Sequence, residues 1–322
     1  MEPNRTFSPG KFSGGGGVRV INSRTTAVFS GIDLDTPLRR ENVSFDHLVM
    51  FWNGETHGKS YFNLKLRVRF AGESWEPWVT WAKWGSGIAS KTTSPEREKF
   101  KIVIDTLISR ERCEAFELAV EGVSDSEGNK PIMHFIGATF WADGENVPSI
   151  NSEWTGEIEV PPRSQMTQLS PDRRVICSPT CLGMVMDFFG KDIPTLEVAE
   201  GVYDHGPGIY GNWSFNIAYA CSVGFPAVLH KLNGIGEARE WLAAGTPLIA
   251  SIAYKEGELK GAPQKKSNGH LVVITGFMEK EGKEFVITND PAAPDEKTVR
   301  RLYHREEFEK AWNRIVYIIF PH

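Results

Sequence analysis

The stretch CSPTCLGMVMDFFG, residues 177–190, decides how the second half of this chain folds. Cys181, Leu182, Val185, Phe188 and Phe189 recur at helical spacing and stop at Gly190, the residue type that most readily ends a helix. Pro179 suits an early helical position, because the N–H it lacks would have no partner there anyway. The spacing predicts a buried helix with Cys177 at its mouth and Cys181 one turn inside. A cysteine attacks only as thiolate, and the positive end of a helix dipole beside an imidazole lowers its pKa. Cys177 is therefore the reactive candidate and Cys181 a packing residue, although a lone cysteine at a helix start is more often a small buried hydrophobe.

Downstream, Thr195 before LEVAEGV, Ser214 before FNIAYACSVG and EAREWLAAG ending on Gly245 read as three more helices. TPLIASIAY, HLVVITGF, EFVITND and RIVYIIF then read as strands, with a helix REEFEKAW before the last. Helices first and a mostly antiparallel sheet afterwards is an α+β arrangement. Among eight histidines His270 stands out, since it follows Asn268 and Gly269 and opens a strand at the end of a sheet. If LVVITGF and EFVITND form a hairpin turning near Glu281 and Gly282, His270 lies opposite the region of Pro291 and Ala292. Asp290 is then within two pairing positions, and an offset of two residues preserves the face. An acid held there can accept the second imidazole N–H and fix its tautomer. A hairpin-end hydrogen bond without chemistry is the bland alternative; Cys177, His270 and Asp290 together weigh against it. Asn289 is a rival orienter whose neighbouring position points it to the other face. His205, with Asp204 beside it, is a rival base that lacks a strand-borne acid.

These motifs resemble bacterial C-39-like peptidases, relatives of the bacteriocin-leader-processing peptidases within the papain-like superfamily. CSPTCLGMVMDFFG is similar to that family's C-G-P-T or C-S-P-T helix start, and NGHLVVITGF and FVITNDPAA to its His and Asp strands. GIYGNWSFNIAYACSVGF fits the bacterial subgroup. The resemblance implies Cys177 as attacking thiolate, His270 as general base and then acid, and Asp290 as orienter. It also implies a Gln upstream of the Cys that donates to the oxyanion; Gln165 in VPPRSQM matches better than Gln168. Ser178 stands where the wider family often has Gly, and is still small enough for a substrate carbonyl to approach. No metal or organic cofactor is implied. Two spaced thiols make a poor zinc site, and no phosphate loop or dinucleotide fingerprint is present.

Upstream, short alternating runs (VRVINS, HLVMFWN, FNLKLRVRF, WVTWAKW, FKIVIDTLI, AFELAVEGV, MHFIGATFW) predict antiparallel strands, the strictest being Phe62, Leu64, Leu66, Val68 and Phe70. They resemble the β-sandwich that often accompanies such peptidases. The expected fold is two-domain: a flexible lead-in over 1–17, an N-terminal all-β jelly-roll-type sandwich over 18–155, and a C-terminal α+β papain-like cysteine peptidase domain over 156–322. Trp75, Trp78, Trp81 and Trp84 recur every three residues and must point different ways. Aromatic platforms can stack on sugars, so a glycan or cell-wall contact through the sandwich competes with plain packing. Tyr210 and Trp213, in the loop YDHGPGIYGNW, are candidates for substrate contact, with an ordinary packed loop the alternative.

The chain's 322 residues suggest about two domains. A net charge of −5, with both halves mildly acidic, gives no footprint for nucleic acid or an anionic membrane. No apolar run is long enough to span a bilayer. Four cysteines are too few for a disulfide scaffold. Without an apolar leader the chain as given reads as cytoplasmic, or as exported if a leader was removed. The expected activity is hydrolysis of a peptide or related amide through an acyl-enzyme, with the sandwich positioning substrate. Interception of the acyl-enzyme by an amine, as in an acyltransferase, transpeptidase or amidase, is the near alternative. A non-catalytic glycan- or protein-binding protein on the same scaffold is the distant one.

Overall fold

The computed structural model describes residues 21–22, 25–30, 36–144 and 150–321. The lead-in over 1–17 lies outside them. In chain order the first strands are β1 (Ile21–Asn22), β2 (Thr26–Ser30), β3 (Leu38–Arg40), β4 (Phe45–Glu55), β5 (Tyr61–Phe70), β6 (Val79–Trp84), β7 (Lys91–Thr92), β8 (Phe100–Val103), β9 (Thr106–Val123) and β10 (Ile132–Trp141). There follow β11 (Gly156–Glu157), α1 (Cys177–Phe188), α2 (Thr195–Val202), α3 (Trp213–Ser222), β12 (Ala227–Lys231), α4 (Ile235–Ala243), β13 (Leu248–Tyr254), β14 (Ser267–Lys280), β15 (Lys283–Asn289), β16 (Arg300–His304), α5 (Arg305–Ala311) and β17 (Trp312–Ile319). The chain divides into two compact units, Met1–Asn146 with Tyr203–Ser222, and Val147–Val202 with Val223–His322.

The first unit is built on one hydrogen-bonded path, β1-β2-β10-β4-β9-β5-β6-β7, with β3 and β8 also paired to β9. Alternation along β5 is complete, every second residue from Phe62 to Phe70 being buried. FKIVIDTLI is not one strand. A turn with Ile104 at φ 60° breaks it after Val103, and Thr106 begins an 18-residue strand that absorbs AFELAVEGV. Gly137 lies where β10 is sandwiched between β2 and β4; a Cβ there would sit 2.5 Å from Phe51 Cζ and 2.7 Å from the Ala27 carbonyl oxygen. Phe45, Phe116 and Phe140 pack ring to ring in the core, and Trp52 packs edge-on against Trp84 and Phe215.

The segment Tyr203–Ser222 completes this unit although it follows α2 in sequence. Ser214 Oγ donates to the Met50 carbonyl at 2.6 Å, fixing α3 on β4. Asp204, fully buried, accepts from the Thr92 N–H and hydroxyl, Gly206 N–H and Asn212 Nδ2. The tryptophans divide: Trp81 and Trp84 are buried. The Arg67 guanidinium lies over both Trp75 and Trp78, and Arg39 and Arg69 also lie over Trp75. Those two partly exposed rings are therefore engaged by guanidinium groups.

The second unit carries the sheet β12-β17-β13-β14-β15-β16, with β11 on β14. Helix α1 packs on β14 and β13, and α2 on α1. Every residue of α1 from Ser178 to Met186 is buried, as expected of a helix that is apolar nearly all round. Gly190, at φ 94°, terminates the α1 segment. The hairpin turns at Glu281 and Gly282, both at positive φ, as a two-residue turn requires. Lys280 pairs with Lys283 and Gly276 with Ile287; a bulge then shifts the register, so that Ile274 pairs with Thr288 and Val273 with Asn289. That one-residue shift matters. A regular ladder from that turn would place His270 opposite Ala293, three positions from Asp290 and on the other face, so the face-preserving offset of two expected from the hairpin holds only because the bulge at Thr275 shifts the register by one.

Candidate active site

Cys177 is the first residue of α1 and is partly exposed as a residue, whereas Cys113, Cys181 and Cys221 are buried. All four are free thiols. By position the early N–H groups of the helix lack intrahelical partners, so the sulfur sits at the positive end of a twelve-residue helix. Burial around the sulfur opposes ionisation, but a hydrogen bond from His270, its positive charge, and the N–H groups of Leu271 and Ser178 outweigh it and hold the thiol below its ordinary pKa. One turn on, Cys181 Sγ donates to the Leu271 carbonyl at 3.2 Å, tying helix to strand. Burial and the negative charges of Cys177 and Asp290 hold that second thiol well above the ordinary value, as an inert packing residue.

His270 sits on β14, 1% exposed, with Nε2 2.8 Å from Asp290 Oδ1. That nitrogen being committed to the acid, Nδ1 is the one left for the sulfur. Burial works against the imidazolium, but the charge and hydrogen bond of Asp290 and the contact with Cys177 push its pKa up to about 10. Asp290 is wholly buried just past the end of β15. Burial alone would raise its carboxyl; His270, the Tyr303 hydroxyl and the Ala292 N–H together pull it below the usual carboxylate range. Tyr303 Oη donates to Asp290 Oδ2 at 2.6 Å and Ala292 N–H to Oδ1 at 2.9 Å. Neither donor was legible in the sequence. VRRLYH carries two arginines before its apolar pair, which masks β16 as a strand.

Gln165 opens a short 3-10 turn, fully buried, and its backbone N–H donates to the carbonyl of Pro291, the residue after Asp290. Its Nε2 donates one proton to the Arg173 carbonyl at 2.8 Å, which leaves the second N–H available. Its Oε1 has no partner among the described residues. Gln168 is half-buried and donates to the Ser164 carbonyl. Asn289 turns away from His270 and donates to the Val160 carbonyl. Thus Cys177, His270, Asp290 and Gln165 all belong to the second unit, whereas Tyr210, Trp213 and His205 belong to the first. There the Trp213 N–H donates to Asp105 Oδ2, and the rings of Tyr210 and His205 pack on Tyr203.

One group of described residues, Asp46, His47 and Asp143 in the first unit, has ligand atoms close enough for a metal ion. Arg112 already supplies positive charge there, 3.1 Å from Asp46 and donating to the Asp143 carbonyl. Among the described residues no helix is long and apolar enough to cross a membrane.

A helix-borne thiol joined to a strand-borne histidine, whose other nitrogen is held by a buried carboxylate, can store a thiolate–imidazolium pair. The Peptidase_C39 like family model matches residues 157–319, and the chain belongs to that family. The model of the Peptidase C39 N-terminal domain matches residues 21–140. Among solved structures the chain is similar to the peptidase domain of Streptococcus ComA, a bifunctional ABC transporter involved in a quorum-sensing pathway. The identity is 15%, covering 51% of this chain and 100% of that one, with a TM-score of 0.36. It is also similar to a protein from Bacillus anthracis described as a C39-like peptidase, at 18% identity over 55% of this chain and 96% of that one, TM-score 0.34. No curated protein matches.

Proposed function

We propose that the protein is a cysteine peptidase that cleaves a peptide or related amide bond through an acyl-enzyme. The observation that carries this reading is Cys177 at the start of α1, its thiol held below the ordinary pKa by His270, whose Nε2 lies 2.8 Å from Oδ1 of the buried Asp290. Cys177 Sγ attacks the scissile carbonyl carbon, forming the C–S bond as the carbonyl oxygen takes the negative charge. The Cys177 N–H at the helix start and the spare N–H of Gln165 receive that oxyanion, such a donor being worth about 3 kcal/mol of barrier. His270 gives its proton to the leaving amine as the C–N bond breaks. It then takes one from water, which attacks the thioester and frees the acid. Asp290 keeps the ring's tautomer fixed throughout.

The first unit is read as an accessory sandwich that helps to present substrate. Support comes from its match to the N-terminal domain of the family and from Tyr203–Ser222, which lies within the peptidase match in sequence yet completes the first unit. Tyr210 and Trp213, carried on that segment, are read as substrate contacts. The test is digestion of a random peptide library by the full chain and by Cys177→Ala, with products sequenced by mass spectrometry. Cleavage at a shared sequence feature by the wild type alone supports the reading. Identical, uncleaved libraries across varied substrates and amine acceptors, together with no trapped acyl-enzyme, overturn it.

A further inference from the structure

Asp290 has to do two things at once: stay ionised with no exposure to water, and present one particular oxygen to His270. A carboxylate on a single methylene is free to rotate unless both oxygens are held. Oδ1 takes His270 Nε2 and the Ala292 N–H, and Oδ2 takes the Tyr303 hydroxyl. These donors come from β14, from the turn after β15 and from β16, so the carboxylate plane is fixed from three segments.

Tyr303 is itself packed on every side that these contacts describe. It is fully buried, lies opposite Val286 in the β15–β16 ladder, and its ring stacks on Phe308 of α5 with centroids 6.2 Å apart and planes 18° apart. Burial and the negative charge of Asp290 hold its phenol far above the usual range, so it stays a donor throughout the working pH range. Tyr254, the other buried phenol influenced by Asp290, donates instead to the Gln264 carbonyl.

We infer that Tyr303 is a positioning residue of the site, its hydroxyl locking the Asp290 carboxylate so that His270 is aimed at Cys177. This rests on the reading of Cys177 as the thiolate nucleophile proposed above. Without the hydroxyl, Oδ2 is a bare buried carboxylate oxygen, the carboxylate turns to seek another donor, and the imidazole loses its fixed acceptor. Tyr303 then acts only through Asp290, which a double-mutant cycle can detect.

The experiment is the rate of iodoacetamide alkylation of Cys177 at pH 6 in the full chain, for the wild type, Tyr303→Phe, Asp290→Ala, the double variant, and Tyr254→Phe as a hydroxyl-deletion control. Tyr303→Phe is expected to slow alkylation by roughly three- to tenfold, part of the factor that a hydrogen bond to a charged group carries. Asp290→Ala slows it further, the double variant is no slower than Asp290→Ala alone, because Tyr303 then has no side chain to act through, and Tyr254→Phe matches the wild type. Multiplicative losses in the double variant, or an unchanged rate in Tyr303→Phe, overturn the inference while leaving the nucleophile reading intact. A wild type in which Cys177 is no more reactive than an ordinary exposed thiol overturns the nucleophile reading and the inference with it. Cooperative thermal unfolding establishes that each variant is folded. If Tyr303→Phe is not, the wild-type Tyr303 hydroxyl proton is sought by NMR: a slowly exchanging downfield signal lost in Asp290→Ala supports the inference, and no such signal in the wild type overturns it.

Discussion

Replacing Asp290 by Ala and by Asn separates what the buried acid does for the fold from what it does for chemistry. In the wild type its two oxygens accept three bonds, at 2.8, 2.6 and 2.9 Å, from donors shut away from water. Alanine removes all three acceptors and leaves the His270 ring, the Tyr303 hydroxyl and the Ala292 N–H unpaired. Each stranded donor costs about 1–3 kcal/mol, and some relief from an entering water brings the sum to about 3–5 kcal/mol, the range for breaking a buried ion pair. Asparagine keeps one oxygen for His270 and Ala292 and turns its amide to the Tyr303 oxygen, which can accept, so its cost is about 1–2 kcal/mol. With a urea slope of about 2 kcal/mol/M, the second unit's unfolding midpoint drops by about 2 M for alanine and by less than about 1 M for asparagine. Circular dichroism at 222 nm and the fluorescence of Trp241 and Trp312, both in this unit, follow the transition. Equal losses in the two variants, or a loss below about 1 kcal/mol in Asp290→Ala, would refute the three-donor account.

Other outcomes follow from the same geometry. In the first unit burial raises the Asp105 carboxyl to about 7, so its stabilising contribution is complete below about pH 4 and disappears as pH rises through 7. Asp105→Asn, which still accepts from the Trp213 N–H, should flatten that decline in a pH series of thermal unfolding; an unchanged slope contradicts the assignment. Gly276→Ala places a Cβ 2.2 Å from the Gly156 carbonyl oxygen and should lower the second unit's stability by about 1–3 kcal/mol in urea unfolding. Gln165→Ala should lower turnover of a cleaved library peptide by about 10²–10³ while Cys177 alkylates at the wild-type rate, because an oxyanion donor serves only the transition state. Equal turnover would remove Gln165 from that role.

Much of the second unit was legible because its signals are local. Helical spacing ending on a glycine gave α1, and the two-residue turn at Glu281 and Gly282 gave the hairpin that brings His270 and Asp290 together. What stayed hidden depends on contacts made far along the chain. The bulge at Thr275, which sets the face on which Asp290 lies, carries no sequence mark that outweighs the β-forming residues around it. Tyr303 was invisible because β16 reads as a charged stretch before a helix. The assignment of Tyr203–Ser222 to the first unit rests on Asp204, Trp213, Ser214 and Phe215 meeting residues more than a hundred positions away, and no periodicity announces such partners. The long β9 reads as separate strands because the consecutive exposed residues Arg110, Glu111 and Arg112 interrupt its alternation.

The central claim is that Cys177 carries an ionised sulfur maintained by His270. Stoichiometric iodoacetamide at mildly acidic pH, with the modified residue located by mass spectrometry, tests it most directly. Exposure alone favours Cys177 over its three buried counterparts, so the deciding comparison is with His270→Ala. The account predicts rapid modification confined to Cys177 in the wild type and its collapse in His270→Ala; labelling at an equal rate in both proteins would contradict it.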